Sequence, residues 1–186
     1  MNVVTLCTGN VARSVMLGYM LSDLAEANGW AWQIRTAGTH AVEGQAMSTR
    51  TLQSLESLDE LGEHHFTRHR SRQISEDDAL WADVIFASEA DHVRFVRAQL
   101  PAAADKVVQI KHFVATAPLD GAFTDRVRSV AQLDPDVVWD VADPAGGDQA
   151  TYDATAAELW DLTMADRKST RLNSSHSQQS RMPSSA

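Results

Sequence analysis

A chain of 186 residues, 44% hydrophobic and 22% charged, has enough apolar material for the core of one domain, and no run in it approaches the roughly 18 uncharged apolar residues of a membrane helix. A formal net charge of −9 argues against nucleic-acid binding, which needs a basic face, but leaves room for a local anion site built from backbone NH groups. The single cysteine, Cys7, rules out an internal disulfide and a Cys-rich metal site; with no basic-then-apolar leader at the start, the expected location is the reducing cytoplasm.

Asn2 to Leu6 is a short, β-branched apolar run bounded by Gly9 and Asn10, and it predicts a buried strand. From Arg13 to Asn28, the residues Leu17, Met20, Leu21 and Leu24 recur at helical spacing, and Gly29 stands where a helix stop is expected. Ala31 to Ala37 predicts a second strand ending at Gly38, so the order is β–α–β. Ser48 can cap a helix reaching about Leu61, closed by Gly62. The stretch EHHFTRHRSRQ is polar and reads as a loop. His40, His64, His65 and His69 form a loose group with no zinc spacing, expected to be solvated. Ser75 and Asp78 resemble a capping box with Asp in place of Glu or Gln. Asp83 to Ser88 predicts the third strand, Glu89 to about Gln99 a helix stopped before Pro101, and Lys106 to Ile110 the fourth strand. Thr124 to Leu133 predicts a short helix, and Asp148 to about Ala165 the last one.

Asp166 to Ala186 differs in character, with seven serines in 21 residues and no periodicity. Its DRKSTRLNSSH segment is also the translation of a stretch resembling a sequencing-library adapter. The expectation is therefore one domain over 1–165 with its last helix cut short, then a disordered, non-native tail over 166–186. Strands alternating with helices predict an α/β three-layer sandwich. Its four-stranded parallel sheet carries helices on both faces, in a Rossmann-like or flavodoxin-like topology. Such sheets bind ligands at the C-terminal ends of their strands, beside a topological switch. Cys7 stands at that end of the first strand.

The segment CTGNVARS leads from that strand straight into a helix. Successive NH groups in such a loop can form an anion nest, and the helix N-terminus adds donors and partial positive charge. Gly9 and Asn10 both tolerate positive φ. The thiolate is the nucleophilic form of a cysteine. Arg13 offers two parallel donors for two oxygens of a tetrahedral anion, and Ser14 can donate to the sulfur. A lone strand-end cysteine can equally be a small buried hydrophobe, but that reading does not account for the spacing to Arg13.

VVTLCTGNVARS resembles the signature of the low-molecular-weight protein tyrosine phosphatase family, a C-x5-R-S loop near the N-terminus. TAGTHAVEGQAMS, HRSRQI and WADVIFASEADH are similar to further family segments, so the resemblance covers most of 1–165. It implies a phosphatase that needs no cofactor or metal. Cys7 would attack phosphorus to give a phosphocysteine. The loop residues Thr8, Gly9, Asn10, Val11, Ala12 and Ser14 would hold the substrate phosphate with Arg13, and Asn10 would brace the loop. The family's general acid is the Asp of a late Asp-Pro pair. Asp134-Pro135 and Asp143-Pro144 both qualify, and WDVADPAGG makes Asp143 the better match to the family's D-x-x-D-P stretch. Either pair could also simply open a turn.

Several positions depart from the family pattern. Ala12 stands where a second loop cysteine is common, so an oxidised Cys7 has no internal partner. Val15 replaces a common Pro. Ala145, Gly146 and Gly147 follow Pro144 where aromatic residues usually wall a phosphotyrosine pocket. Val11 lacks the hydroxyl that phosphoarginine enzymes carry there. The expected substrate is protein phosphotyrosine. Alternatives are a protein-arginine phosphatase or a small-phosphoester phosphatase of the same fold, an arsenate reductase using external thiols, and a non-catalytic anion-binding domain. Oligomeric state is left open.

Overall fold

The computed structural model describes residues 1–62 and 64–174, with 166–174 described by backbone alone. Four strands form one parallel sheet in the order β2-β1-β3-β4: β1 Asn2–Cys7, β2 Gln33–Gly38, β3 Val84–Ala87 and β4 Val107–Gln109. The helices are α1 Arg13–Ala27, α2 Thr49–Glu56, α3 Glu76–Trp81, α4 Ala90–Gln99, α5 Ile110–Thr116, α6 Phe123–Ala131 and α7 Gln149–Ser174. The chain leaves β1 first toward β2 and later toward β3. The topological switch therefore lies at the C-terminal end of β1, where Cys7 is.

Alternate sheet residues feed two separate cores, as the period of two requires. Val3, Val84, Phe86 and Val108 face α1, α5, α6 and α7, while Val4, Leu6, Ile85 and Val107 face α3 and α4. This is the expected three-layer α/β sandwich. All four apolar positions that mark α1 are buried, and so are Val15, Met16 and Gly18, because α1 is covered by both the sheet and α7. Gly18 permits that closeness: a Cβ there would lie 2.5 Å from Thr36 Cγ2. Among the described residues no helix is long and apolar enough to cross a membrane.

Some boundaries differ from expectation for local reasons. The helix capped by Ser48 stops at Glu56, not near Leu61. Ser57 Oγ donates to the Ser54 carbonyl at 2.9 Å, occupying a group that a further turn would use. Helix α5 follows β4 with no breaker between them, so the apolar run gives no sign of the change from strand to helix. Helix α7 runs past residue 165 to Ser174, since Arg167, Lys168, Arg171 and Leu172 are good helix formers and propagation adds one bond per residue. The remainder of the tail expectation, 175–186, lies outside the described residues.

The capping box at α3 holds a buried carboxylate. Asp78 is 1% exposed and accepts from Ser75 N at 3.1 Å and Ser75 Oγ at 2.9 Å, with Arg72 at 2.6 Å and Arg35 at 3.3 Å. Burial pushes its pKa up, but the Arg72 bond and charge and the Ser75 donors outweigh burial, so the value lies below the ordinary one. A carboxylate depressed in the folded state stabilises above its unfolded pKa and loses that contribution as pH falls through the folded value. Asp78→Asn is expected to cost about 2 kcal/mol at pH 7 and to flatten the dependence of stability on pH below about 4. Urea unfolding at several pH values checks this, and unchanged midpoints would refute it.

Candidate active site

The loop after β1 is held from outside by its carbonyls. Cys7 O accepts from Thr39 N and Thr8 O from His40 N, both at 2.9 Å. Asn10 O takes Ser71 Oγ and His69 Nε2, each at 2.8 Å. Val11 O takes Ser48 N at 3.1 Å and Thr51 Oγ1 at 2.9 Å. A trans peptide points its N–H opposite to its carbonyl, so carbonyls drawn outward turn the NH groups toward the interior of the loop. Asn10 is the one non-glycine residue with positive φ among the described residues, at 53°, and this lets the loop double back. Its buried side chain donates to Ser14 Oγ at 3.0 Å and Thr36 Oγ1 at 2.9 Å and accepts from Arg72 N at 3.0 Å. Asn10 thus ties the loop to α1, β2 and the 68–72 segment. Gly38 is needed beside it, since a Cβ there would meet Thr8 O at 2.5 Å.

At the base sits Cys7, 3% exposed. Its sulfur receives Asn10 N at 3.3 Å and lies 3.0 Å from Ser14 Oγ. Arg13, 1% exposed, begins α1 and reaches across the loop. Its guanidinium pairs with Glu89, donates to Val141 O at 3.0 Å, and meets Asp143 Oδ2 at 2.9 Å. Asp143 Oδ1 accepts from Ala145 N at 3.1 Å, so the Asp-Pro turn fixes one oxygen while the other faces Arg13. The other Asp-Pro pair lies elsewhere. Leu133 O and Pro135 O accept from Arg97 and Arg94, which pins that segment on α4.

Two residues of this network were not singled out from the sequence, Glu89 and His92. Both sit at the start of α4, which β3 aims at the loop. The Glu89 backbone NH donates to His92 Nδ1 at 3.1 Å. Nδ1 is therefore an acceptor, the proton is on Nε2, and Nε2 donates to Thr8 Oγ1 at 3.0 Å. Burial, and next the charge of Arg13, hold the His92 pKa down to about 4, with His40 in the same sense and Asp143 and Asp91 opposing. The ring is neutral near pH 7, so the Glu89 carboxylate 3.5 Å from Nε2 is not its ion-pair partner. The sequence signal was the spacing of Glu89 and His92, which is that of a capping box with His at the third helical position.

The expectation of four solvated histidines is corrected in part. His40 and His65 are exposed. His64 packs between Tyr19 and Phe66, with ring centroids 5.4 and 5.6 Å away. His69 is half-buried against the loop; burial lowers its pKa, the bond to Asn10 O raises it, and Arg70 lowers it, with a net downward shift. Asp140, earlier in the WDVADP stretch, accepts from Ala90 N and Gln109 Nε2 at 2.7 Å each, fastening the Asp-Pro segment to β4 and α4. Burial raises its pKa, reinforced by Glu89 and Asp91.

A buried thiol, an arginine and the carboxylate paired with that arginine meet at the loop after β1, an arrangement suited to holding a tetrahedral anion. Comparisons with known proteins place the chain in a family. The sequence model of low molecular weight phosphotyrosine protein phosphatases matches residues 2–165. The protein-arginine-phosphatase of Bacillus subtilis (strain 168) is 28% identical over 163 residues, covering 87% of this chain and 91% of that protein. A low molecular weight protein tyrosine phosphatase from T. tengcongensis superposes with a TM-score of 0.72 at 29% identity, over 90% of this chain and 98% of its own. An arginine phosphatase from Geobacillus stearothermophilus gives 0.69 at 26% identity, over 98% and 99%.

Proposed function

The chain belongs to the low molecular weight phosphotyrosine protein phosphatase family and is a cysteine-dependent phosphatase, and from that premise we propose that Cys7 is its nucleophile, Arg13 its phosphate clamp and Asp143 its general acid. The Cys7 thiolate attacks phosphorus in line while Asp143 protonates the departing atom, leaving a phosphocysteine. Water, with Asp143 now the base, then releases phosphate and restores the thiolate. Arg13 and the NH groups of residues 8 to 14 stabilise the equatorial oxygens in both steps. The observation that carries this reading is the 2.9 Å contact between Arg13 and Asp143, which puts the Asp-Pro carboxylate at the opening of the Cys7 loop. Domain 1–165 carries this chemistry, and a working thiolate suits the reducing cytoplasm.

The substrate proposed is a phosphorylated protein side chain, with phosphotyrosine first. Phosphoarginine is the second reading, and two observations favour it. The curated relative is a protein-arginine-phosphatase. Glu89 and Asp143 also stand beside Arg13 as carboxylates suited to a guanidinium, while Ala145, Gly146 and Gly147 follow Pro144 in a tight turn with Gly146 at φ 82° and offer no aromatic wall. Hydrolysis of matched phosphotyrosine and phosphoarginine peptides, compared by kcat/KM, decides between them.

Asp143→Ala tests the acid. Its kcat is expected to fall about 100-fold on phenyl phosphate, whose leaving group needs the proton, and less than about 10-fold on an activated nitrophenyl ester. Equal losses on both would remove Asp143 from the acid role, and Asp134→Ala serves as the control expected to retain activity.

A further inference from the structure

The proton acceptor and donor of one imidazole connect the two ends of the phosphate site. His92 Nδ1 receives the backbone NH of Glu89, whose carboxylate pairs with Arg13. His92 Nε2 donates to Thr8 Oγ1, on the residue directly after the nucleophile. Thr8 is gripped again through its carbonyl by His40 N. The ring is 3% exposed and its position is over-determined, because it closes the first turn of α4 while touching the loop. Charged and titratable groups around it come from every neighbouring element: Arg13 of α1, Glu89 and Asp91 at the head of α4, Asp143 of the Asp-Pro turn, and His40 of the loop after β2.

We propose that His92 is a positioning residue for phosphoryl transfer, holding the Thr8 peptide of the nest and, through Glu89, the guanidinium of Arg13 in a single register. The bonds reach Thr8, next to Cys7, and through Glu89 reach Arg13 at the head of α1. A displaced ring would move the first NH donor and the arginine independently, and an error of about 1 Å in such a constellation can cost about 100-fold in rate. The neutral tautomer is essential, since only a ring with a bare Nδ1 accepts from Glu89 while Nε2 donates to Thr8. The proposal rests on the phosphatase reading of the Cys7 loop and deepens it.

Three variants separate the two bonds. His92→Asn keeps an acceptor where Nδ1 stands and loses the donor to Thr8. His92→Gln keeps a donor near Nε2 and loses the acceptor for Glu89. His92→Ala loses both. On an aryl phosphate, kcat is expected to fall about 100-fold in His92→Ala and about 10-fold in each of the others, with KM changing less than about threefold. Vanadate, which takes a five-coordinate geometry at the thiolate, is expected to lose affinity in step with kcat, whereas inorganic phosphate keeps its affinity within about threefold. A purely structural role would weaken both inhibitors together or neither. If His92→Ala does not fold, the Asn and Gln variants carry the test. Folded Asn and Gln variants with unchanged kcat, or parallel loss of vanadate and phosphate binding, overturn the role of His92 alone. A wild-type protein inactive on aryl phosphate overturns the underlying reading and His92 with it.

Discussion

Cys7→Ser is expected to lower kcat on an aryl phosphate by about 10⁴-fold or more while leaving the fold intact. The substitution is nearly isosteric, and Cys7 is 3% exposed at the end of a fully paired strand. The Asn10 NH at 3.3 Å and the Ser14 hydroxyl at 3.0 Å remain as partners for the new oxygen. What disappears is the easily ionised sulfur. A serine hydroxyl needs a base within reach, and the neighbours of Cys7 are donors rather than bases. The measurement is steady-state turnover beside thermal unfolding and a phosphate-binding titration. Binding should survive, because the nest and Arg13 are unchanged. Turnover within about 10-fold of wild type would sink the covalent mechanism.

Arg13→Lys is expected to cost about 10³-fold in kcat, although it conserves charge. Arg13 has three partners in three directions: Glu89, Val141 O at 3.0 Å and Asp143 at 2.9 Å. Only a planar guanidinium serves such a set and still presents parallel donors to two phosphate oxygens. An ammonium group on a shorter head cannot hold Glu89 and Asp143 together, so the variant loses the clamp and loosens the turn carrying the acid. Phosphate affinity should fall as well, which separates this variant from Cys7→Ser. If charge alone mattered, Arg13→Lys would stay within about 10-fold of wild type.

The parts of the site that were legible in the sequence are those in which chemistry and backbone lie within a few residues. The strand ending at Cys7, the Gly9-Asn10 turn and the helix starting at Arg13 are read from one continuous segment, and the described structure places them as read. Asn10 was expected to brace the loop, and it does so through Thr36, Arg72 and Ser14. Those partners could not be named in advance, because two of them are 26 and 62 residues away. His69 shows the same limit. In the sequence it belongs to a polar stretch, and only the packing of that stretch beneath the loop turns it into a donor to Asn10 O.

What the sequence determined by itself is the strand ending at Cys7, the loop after it, the helix beginning at Arg13 and two Asp-Pro pairs, because strand ends, turns and helix starts follow local steric and hydrogen-bonding rules. Tertiary structure decided which Asp-Pro carboxylate meets Arg13 and what holds the arginine. Parallel pairing of β1 with β3 carries Glu89 and His92 from the head of α4 to Arg13 and Thr8, across 76 and 84 residues. Asp140 then fastens the following turn so that Asp143 closes the same opening. Such contacts depend on strand order and on the burial of charges that must find partners, and no short stretch of sequence contains either.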